Sequence, residues 1–526
     1  MSSVPSKVVA VNEPSPSLPI LVSVSEIAQL TGGKPSSVST WRARFPDEFP
    51  EPVVGGSKPL FDAQEVLGWV NLRRSMSQVA EPTPGWWWRK AASAYIGKVG
   101  PDTGRPSLVA LVLFAHRLRA SDDDGRSWAG LVVARDTGTD PGLEVRRLAS
   151  ELEEADPALN GLLVEPLAPI VADPCLGEVI GYLDRALVSA DDVGSLVTAV
   201  LRADGSSAAV KVASTLTSSS QARLMVALAR VAEGDVVLDP AAGEGEVLVQ
   251  CARLLGDGVV LKGQEIATAP WRIARSRLVL MGVSADMGER PADSMVDNRF
   301  ADVRADVVLL DPPLEMLASS EMEADQGAPP LDAWLQYGLR HLDDRGRLVV
   351  LVPGRYLRAR LRKRRGFSDF SEFVDGLIAR GQVEAIVVLP GRMRADVVDD
   401  QALLVMRGQG SDVSSGVAQG VLITSSSTTG TVNIDHLVNL IGRTGDRWIE
   451  SAQERGMVDV SPVSTIEFLY TGSESERAVH SRPSKRLTAG RGAVAAPPPP
   501  AEDDEAPLRR EIRVLEERLD DIRRRA

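Results

Sequence analysis

VVLDPAAGEGEVL, Val236 to Leu248, decides the architecture of this chain. It opens on a short apolar run that ends in Asp239 and closes on the start of an amphipathic stretch, EVLVQCARLL. Between them, Pro240-Ala241-Ala242-Gly243-Glu244-Gly245 reads as a tight turn from a strand into a helix. Working outward, apolar runs recur at 259–265 (VVLKGQE), 305–311 (ADVVLLD), 347–353 (RLVVLVP), 383–390 (VEAIVVLP) and 401–407 (QALLVMR), separated by helical patterns such as APWRIARSRLVLMG and LDAWLQYGLRHL. This alternation predicts an α/β domain over residues 206–410, doubly wound, with a mostly parallel sheet covered on both faces.

In such a sheet, ligands sit beyond the C-terminal ends of the strands. Gly243 and Gly245 let the backbone approach a ligand where a Cβ would collide. Glu265, at the end of the second strand, is placed to accept from both hydroxyls of a ribose. Asp293, in PADSM, is placed to accept from an adenine amino group. The glycines lack the dinucleotide-binding spacing, and no Lys-Ser/Thr of a phosphate loop follows, so the pattern favours an adenosine ligand without phosphates. Asp311-Pro312-Pro313 closes the run ADVVLL. A side-chain oxygen plus a backbone carbonyl held by two prolines suits an exocyclic amine, because it accepts the N–H hydrogens and aims the nitrogen.

DPAAGEG, GQE, ADS and LLDPPL, in this order, resemble the adenine-N6 DNA methyltransferases, specifically the methylase subunits of type I restriction-modification systems. LARVAEGDVVLDPAAGEGEVL, KGQEIATAPWRIARSRLVLMG, DDRGRLVVLVPGRYL and GQVEAIVVLPGRM carry the likeness over about residues 190–410. It implies a class I fold dependent on S-adenosylmethionine, with that cofactor held by Asp239, Pro240, Ala241, Gly243, Gly245, Glu265, Ile266 and Asp293. Asp239 would serve the methionine moiety. The catalytic loop would be Asp311, Pro312, Pro313 and Leu314, acting on an adenine flipped out of duplex DNA. The chain departs from the family at four places. Asp311 replaces the usual Asn, which keeps the acceptor oxygen. Leu314 replaces an aromatic whose stacking on a base is worth roughly 1–3 kcal/mol. Glu244 and Glu246 alter the cofactor loop, and Thr217-Ser218 stands where Thr-Pro is usual upstream. Two alternatives stay open: a catalytically degenerate, cofactor-binding regulator on DNA, and an amino-methyltransferase of RNA or of a protein glutamine amide.

Before this domain, residues 1–20 have no period and read as a disordered lead. Residues 21–75 read as helix, turn, helix, a hairpin with Gly55-Gly56 at its tip, and a third helix from Asp62. This resembles the winged helix-turn-helix domains of the MerR and excisionase kind. It offers Lys34, Ser37, Thr40, Arg42 and Arg44 on the second helix and Lys58 on the wing to DNA. Residues 76–205 read as mainly helical, with SWAGLVVARD as a strand and the Trp86-Trp87-Trp88 run as core. RYLRARLRKRR offers Arg358, Arg362 and Arg365 to phosphates at the ligand end of the sheet. An accessory region (411–485) and a Pro-rich linker (486–507) lead to residues 508–526, where Leu508, Ile512, Leu515, Leu519 and Ile522 form a short coiled-coil seam. So short a helix needs a partner helix or its own copy. The expected partners are therefore double-stranded DNA, specificity and nuclease subunits, and a second copy.

The net charge of −13 argues against non-specific coating of nucleic acid, and two cysteines, Cys175 and Cys251, make no disulfide or metal framework. No apolar run reaches the length of a membrane span and no signal-peptide pattern opens the chain, so a cytoplasmic protein is expected.

Overall fold

The structure is a computed structural model that describes residues 18–73, 82–121, 126–137, 140–190, 192–203, 217–313, 331–353, 382–388, 401–408 and 422–425, with a few positions at 373–380. The chain divides into two compact units. One runs through Val226 and from Val231 to Pro329; the other takes in Ala227–Arg230 and the chain from Pro330 onward, apart from Arg394–Val397.

The first unit opens with β1 (Leu21–Ser23), α1 (Val24–Leu30), α2 (Pro35–Arg44), β2 (Leu60–Asp62) and α3 (Ala63–Leu72). Ser23 and Glu26 form a reciprocal capping box at α1, Pro35 starts α2, and the Asp62 side chain caps α3 by accepting from Gln64 and Glu65. β1 pairs antiparallel with β2, and Val54 bridges Leu60 across the Gly55-Gly56 tip. Ten α-helices in all occupy the chain before residue 203 among the described residues. After α3 these are α4 (Pro84–Val99), α5 (Pro101–Ser121), α6 (Arg126–Asp136), α7 (Gly142–Ala155), α8 (Val164–Val171), α9 (Leu176–Ser189) and α10 (Val193–Leu201). SWAGLVVARD lies in α6, so it is a helix and not the expected strand: Trp128 and Leu131 are buried one helical turn apart while Val133 is exposed, a pattern of period 3.6. Trp88 is fully buried and its indole donates to the Leu196 carbonyl, whereas Trp86 and Trp87 are only partly covered.

One apolar core runs from Leu18 and Ile20 through Phe61 and Trp69 into Trp88, Leu111, Leu183 and Ala203. The N-terminal elements are therefore packed onto the helices that follow. Gln64 donates to Tyr182, Lys90 pairs with Glu26, and the Leu18 N–H donates to Glu178.

The same unit holds α11 (Ser219–Ala229, through Val226), β3 (Val236–Asp239), α12 (Glu246–Leu255), β4 (Val260–Gly263), α13 (Thr268–Leu280), β5 (Ala285–Asp286) and β6 (Ala305–Leu310). Its strands lie in the order β6-β3-β4-β5, all parallel. EVLVQCARLL forms α12 because Val247, Leu248, Cys251 and Ala252 share one face and are buried. The second unit holds α14 (Leu331–His341), β7 (Leu342–Pro353), β8 (Val383–Val388), β9 (Gln401–Arg407) and β10 (Leu422–Ser425) in the order β10-β8-β9-β7. β9 runs antiparallel to both neighbours, and β10 is parallel to β8. The fold is α/β, with a mainly parallel sheet. No helix among the described residues is long and apolar enough to cross a membrane. Leu314, the RYLRARLRKRR segment with Arg358, Arg362 and Arg365, the Pro-rich linker and the coiled-coil seam lie outside the described residues.

Candidate active site

β3 and β6 are adjacent parallel strands, so Asp239 and Asp311 emerge side by side at their C-terminal ends. The turn after β3 takes Gly243 to φ +53 and Gly245 to φ +76, left-handed values that suit glycine. It is stitched to the end of β4: the Ala242 N–H donates to the Gln264 carbonyl, the Gln264 N–H to the Asp239 carbonyl, and the Gly243 N–H to Glu265 Oε2 at 2.9 Å. The Ala267 N–H donates to the other Glu265 oxygen at 2.8 Å. Each carboxylate oxygen keeps a further lone pair, so Glu265 retains capacity for two hydroxyls. Ile266, next along, is exposed and apolar. Asp293 sits on the loop that returns under Glu265, whose carbonyl accepts from Ala292. Ser294 donates to the Pro240 carbonyl at 2.6 Å, and buried Gln264 donates to the Ala292 and Asp297 carbonyls. The expected cofactor residues therefore converge at one end of one half-sheet.

The electrostatics are acidic throughout. Asp239 is 2% exposed. Burial pushes its carboxyl up to about 8, Asp311 and Glu265 push the same way, and only the Ala241 N–H opposes them. Burial also raises Glu265 against three backbone N–H donors. No cationic side chain enters the balance at Asp239. Carboxyls gathered at one strand end, with no cationic cause acting on Asp239, fit a cationic ligand, and S-adenosylmethionine carries a sulfonium and an ammonium.

Asp311 is partly buried and Pro312 fully so. The Thr217 hydroxyl donates to Asp311 Oδ2. Thr217 is fixed in turn by its neighbour, because Ser218 and Gln221 form a capping pair at the start of α11. At the sequence level Thr217 is only a residue beside a departure from the family pattern; its placement on Asp311, 94 residues away, is a product of folding.

Residues 189–426 match the family model described as N-6 DNA Methylase. The chain carries an N-6 DNA methylase domain. The carboxyl-lined end of β3, β4 and β6 fits S-adenosylmethionine, the methyl donor expected from the sequence. Among solved structures, the type I restriction-modification methyltransferase subunit from Streptococcus thermophilus is 14% identical, with a TM-score of 0.51, over 69% of this chain and 94% of that one. A modification subunit of a type I restriction enzyme from Vibrio vulnificus is 16% identical, with a TM-score of 0.44, over 70% and 92%. The first of these supports the fold; the second adds nothing to it. No curated protein matches the chain.

The expected DNA residues of the N-terminal elements sit on α2, at its N-cap and in the loop before β2. Lys34, Thr40, Arg42, Arg44 and Lys58 are exposed and Ser37 is half-buried. Arg42 lies over the Phe61 ring at 5.2 Å and Arg44 over Phe45 at 5.5 Å, which orients both side chains along the surface.

Proposed function

We propose that this chain methylates the exocyclic N6 amine of adenine in double-stranded DNA, as the modification subunit of a restriction-modification assembly. The observation that carries the reading is Asp311-Pro312-Pro313 at the end of β6, beside the carboxyl-lined end of β3. Bound at that end, S-adenosylmethionine supplies a methyl group on a sulfonium sulfur. Asp239, Glu265 and Asp293 hold the donor, with Pro240, Ala241, Gly243, Gly245 and Ile266 lining it. Asp311 and the Pro312 carbonyl accept the two N–H hydrogens of the target amine, which localises its lone pair toward the methyl carbon. Asp311 would take the proton that the amine releases on methylation and pass it to solvent. Thr217 holds the other carboxylate oxygen, so Asp311 has one orientation.

Two groups of basic residues serve DNA binding: those exposed on α2 with Lys58, and, in the sequence, Arg358, Arg362 and Arg365. The coiled-coil seam from Leu508 to Ile522 takes a second copy or a helix of a specificity subunit. The test is transfer of a labelled methyl group to duplex DNA, with and without candidate specificity subunits. Transfer to adenine N6 that is lost in Asp311→Ala with cofactor affinity kept supports the reading.

Leu314 favours a second reading, a cofactor-binding regulator that has lost its base platform. Wild type and Leu314→Phe both silent on every DNA, with cofactor still bound, would select it.

A further inference from the structure

Glu244 interrupts the glycines of the cofactor turn, and the fold gives it a partner far from the methylase domain. Its carboxylate is 9% exposed and faces Arg105 on α5, itself 2% exposed, at 3.4 Å between Oε1 and Nη1. Arg105 Nε and Nη2 and Glu244 Oε2 have no other hydrogen-bond partner, so at this contact the two side chains answer chiefly to each other. Behind the turn, Arg277 of α13 donates to the Glu244 carbonyl at 2.6 Å and pairs with Glu246, which also accepts from Gln250 at 2.8 Å. Burial pushes Glu244 up while Arg105 and Arg277 pull it down. Gly245 is pressed on α13: a Cβ there would stand 2.8 Å from the Cβ of Ala274. The turn that presents the Gly243 N–H to Glu265 is therefore braced from behind, by α13 within the methylase domain and by α5 from the helices before it.

We infer that Arg105 is a positioning residue for the cofactor: by holding Glu244 it keeps the Gly243–Gly245 turn in its ligand-binding shape, which makes the helical segment part of the S-adenosylmethionine site. The inference rests on the cofactor assignment. Removing the guanidinium leaves a carboxylate buried and uncompensated, and the turn relaxes to bring Glu244 to water. The cost falls on cofactor binding. Chemistry at saturating cofactor, which uses Asp311 on another strand, is spared.

The experiment is calorimetric titration of the full chain with S-adenosylmethionine, alongside methyl transfer and circular dichroism. Arg105→Met should raise the Kd by about tenfold or more while changing kcat at saturating cofactor by no more than about threefold. The double variant Arg105→Met with Glu244→Gln removes both charges and should regain most of the lost affinity. Arg105→Lys keeps the charge without the fork and should fall between wild type and Arg105→Met. A folded Arg105→Met with wild-type Kd overturns the inference, as does a double variant no tighter than the single. Should Arg105→Met not fold, Arg105→Lys decides: wild-type Kd overturns the inference, and a raised Kd with unchanged kcat supports it. Wild type that takes up no cofactor would overturn the cofactor assignment itself, and the inference with it.

Discussion

Asp239 makes cofactor affinity depend on pH, and the dependence can be worked from the structure. Its carboxyl is buried, beside Asp311 and Glu265, and is pushed up to about 8 in the chain without ligand. A cationic cofactor needs the ionised form, so binding below that value must expel a proton. With a group titrating at about 8, the ionised fraction is roughly 1% at pH 6.0 and roughly 24% at pH 7.5. Affinity should therefore rise about twentyfold over that window, close to 2 kcal/mol. The window stops at 7.5 because an α-amino group, such as that of the cofactor, loses its own charge near pH 8. Titration calorimetry in two buffers of different ionisation enthalpy counts the protons released directly; about one should leave per cofactor at pH 6.5. Asp239→Asn keeps the shape and should flatten the slope while weakening binding at pH 7.5. Free stability should move the opposite way. The folded value lies above the unfolded one, so Asp239 contributes its full stability below about pH 4, and that contribution is lost as the pH rises toward 8. Melting temperature without cofactor should fall across this range more steeply in wild type than in Asp239→Asn. An affinity that is flat from pH 6.0 to 7.5, or an unchanged slope in Asp239→Asn, would refute the argument.

Glu265→Ala should weaken cofactor binding by about 1.5–3 kcal/mol, through loss of charge-assisted hydrogen bonds, as read by the same calorimetry. Thr217→Val should leave cofactor affinity within about twofold and lower methyl-transfer kcat by about tenfold, because Asp311 loses the donor that orients it; Thr217→Ser should restore most of it. Arg42→Ala with Arg44→Ala in the full chain should weaken duplex binding and reduce the slope of log affinity against log salt by about 2, since each charge is read as a phosphate contact; an unchanged slope removes α2 from the DNA surface. Deleting residues 505–526 should lower the mass seen by light scattering or lose a partner subunit, with cofactor affinity unchanged.

Much of the site was legible because it is local. Asp239, Gly243, Glu265 and Asp311 each lie at or just past a strand end, marked by a short apolar run and a turn. In a parallel sheet, that pattern brings residues up to 72 positions apart to one edge. The order of the runs therefore carried both the α/β fold and the gathering of acidic strand ends. What escaped has no local signature. SWAGLVVARD is a short apolar run that suits either period, and packing of Trp128 and Leu131 against the neighbouring helices decided for a helix. β5 spans two residues, too short to stand out as a run. Leu18 and Ile20 belong to an irregular lead by composition, yet they are buried because β1 draws them onto the core. Glu244 and Glu246 read as defects in a glycine loop, whereas the fold supplies Arg105 and Arg277 as their partners. A buried ion pair across 139 residues depends on where a helix and a distant turn come to rest, and nothing in the spacing of the chain encodes that. The sequence by itself determined the strand-end chemistry, because period and turn residues act over a few positions. Only tertiary structure decided what holds that chemistry in place, because bracing contacts arise where distant elements meet.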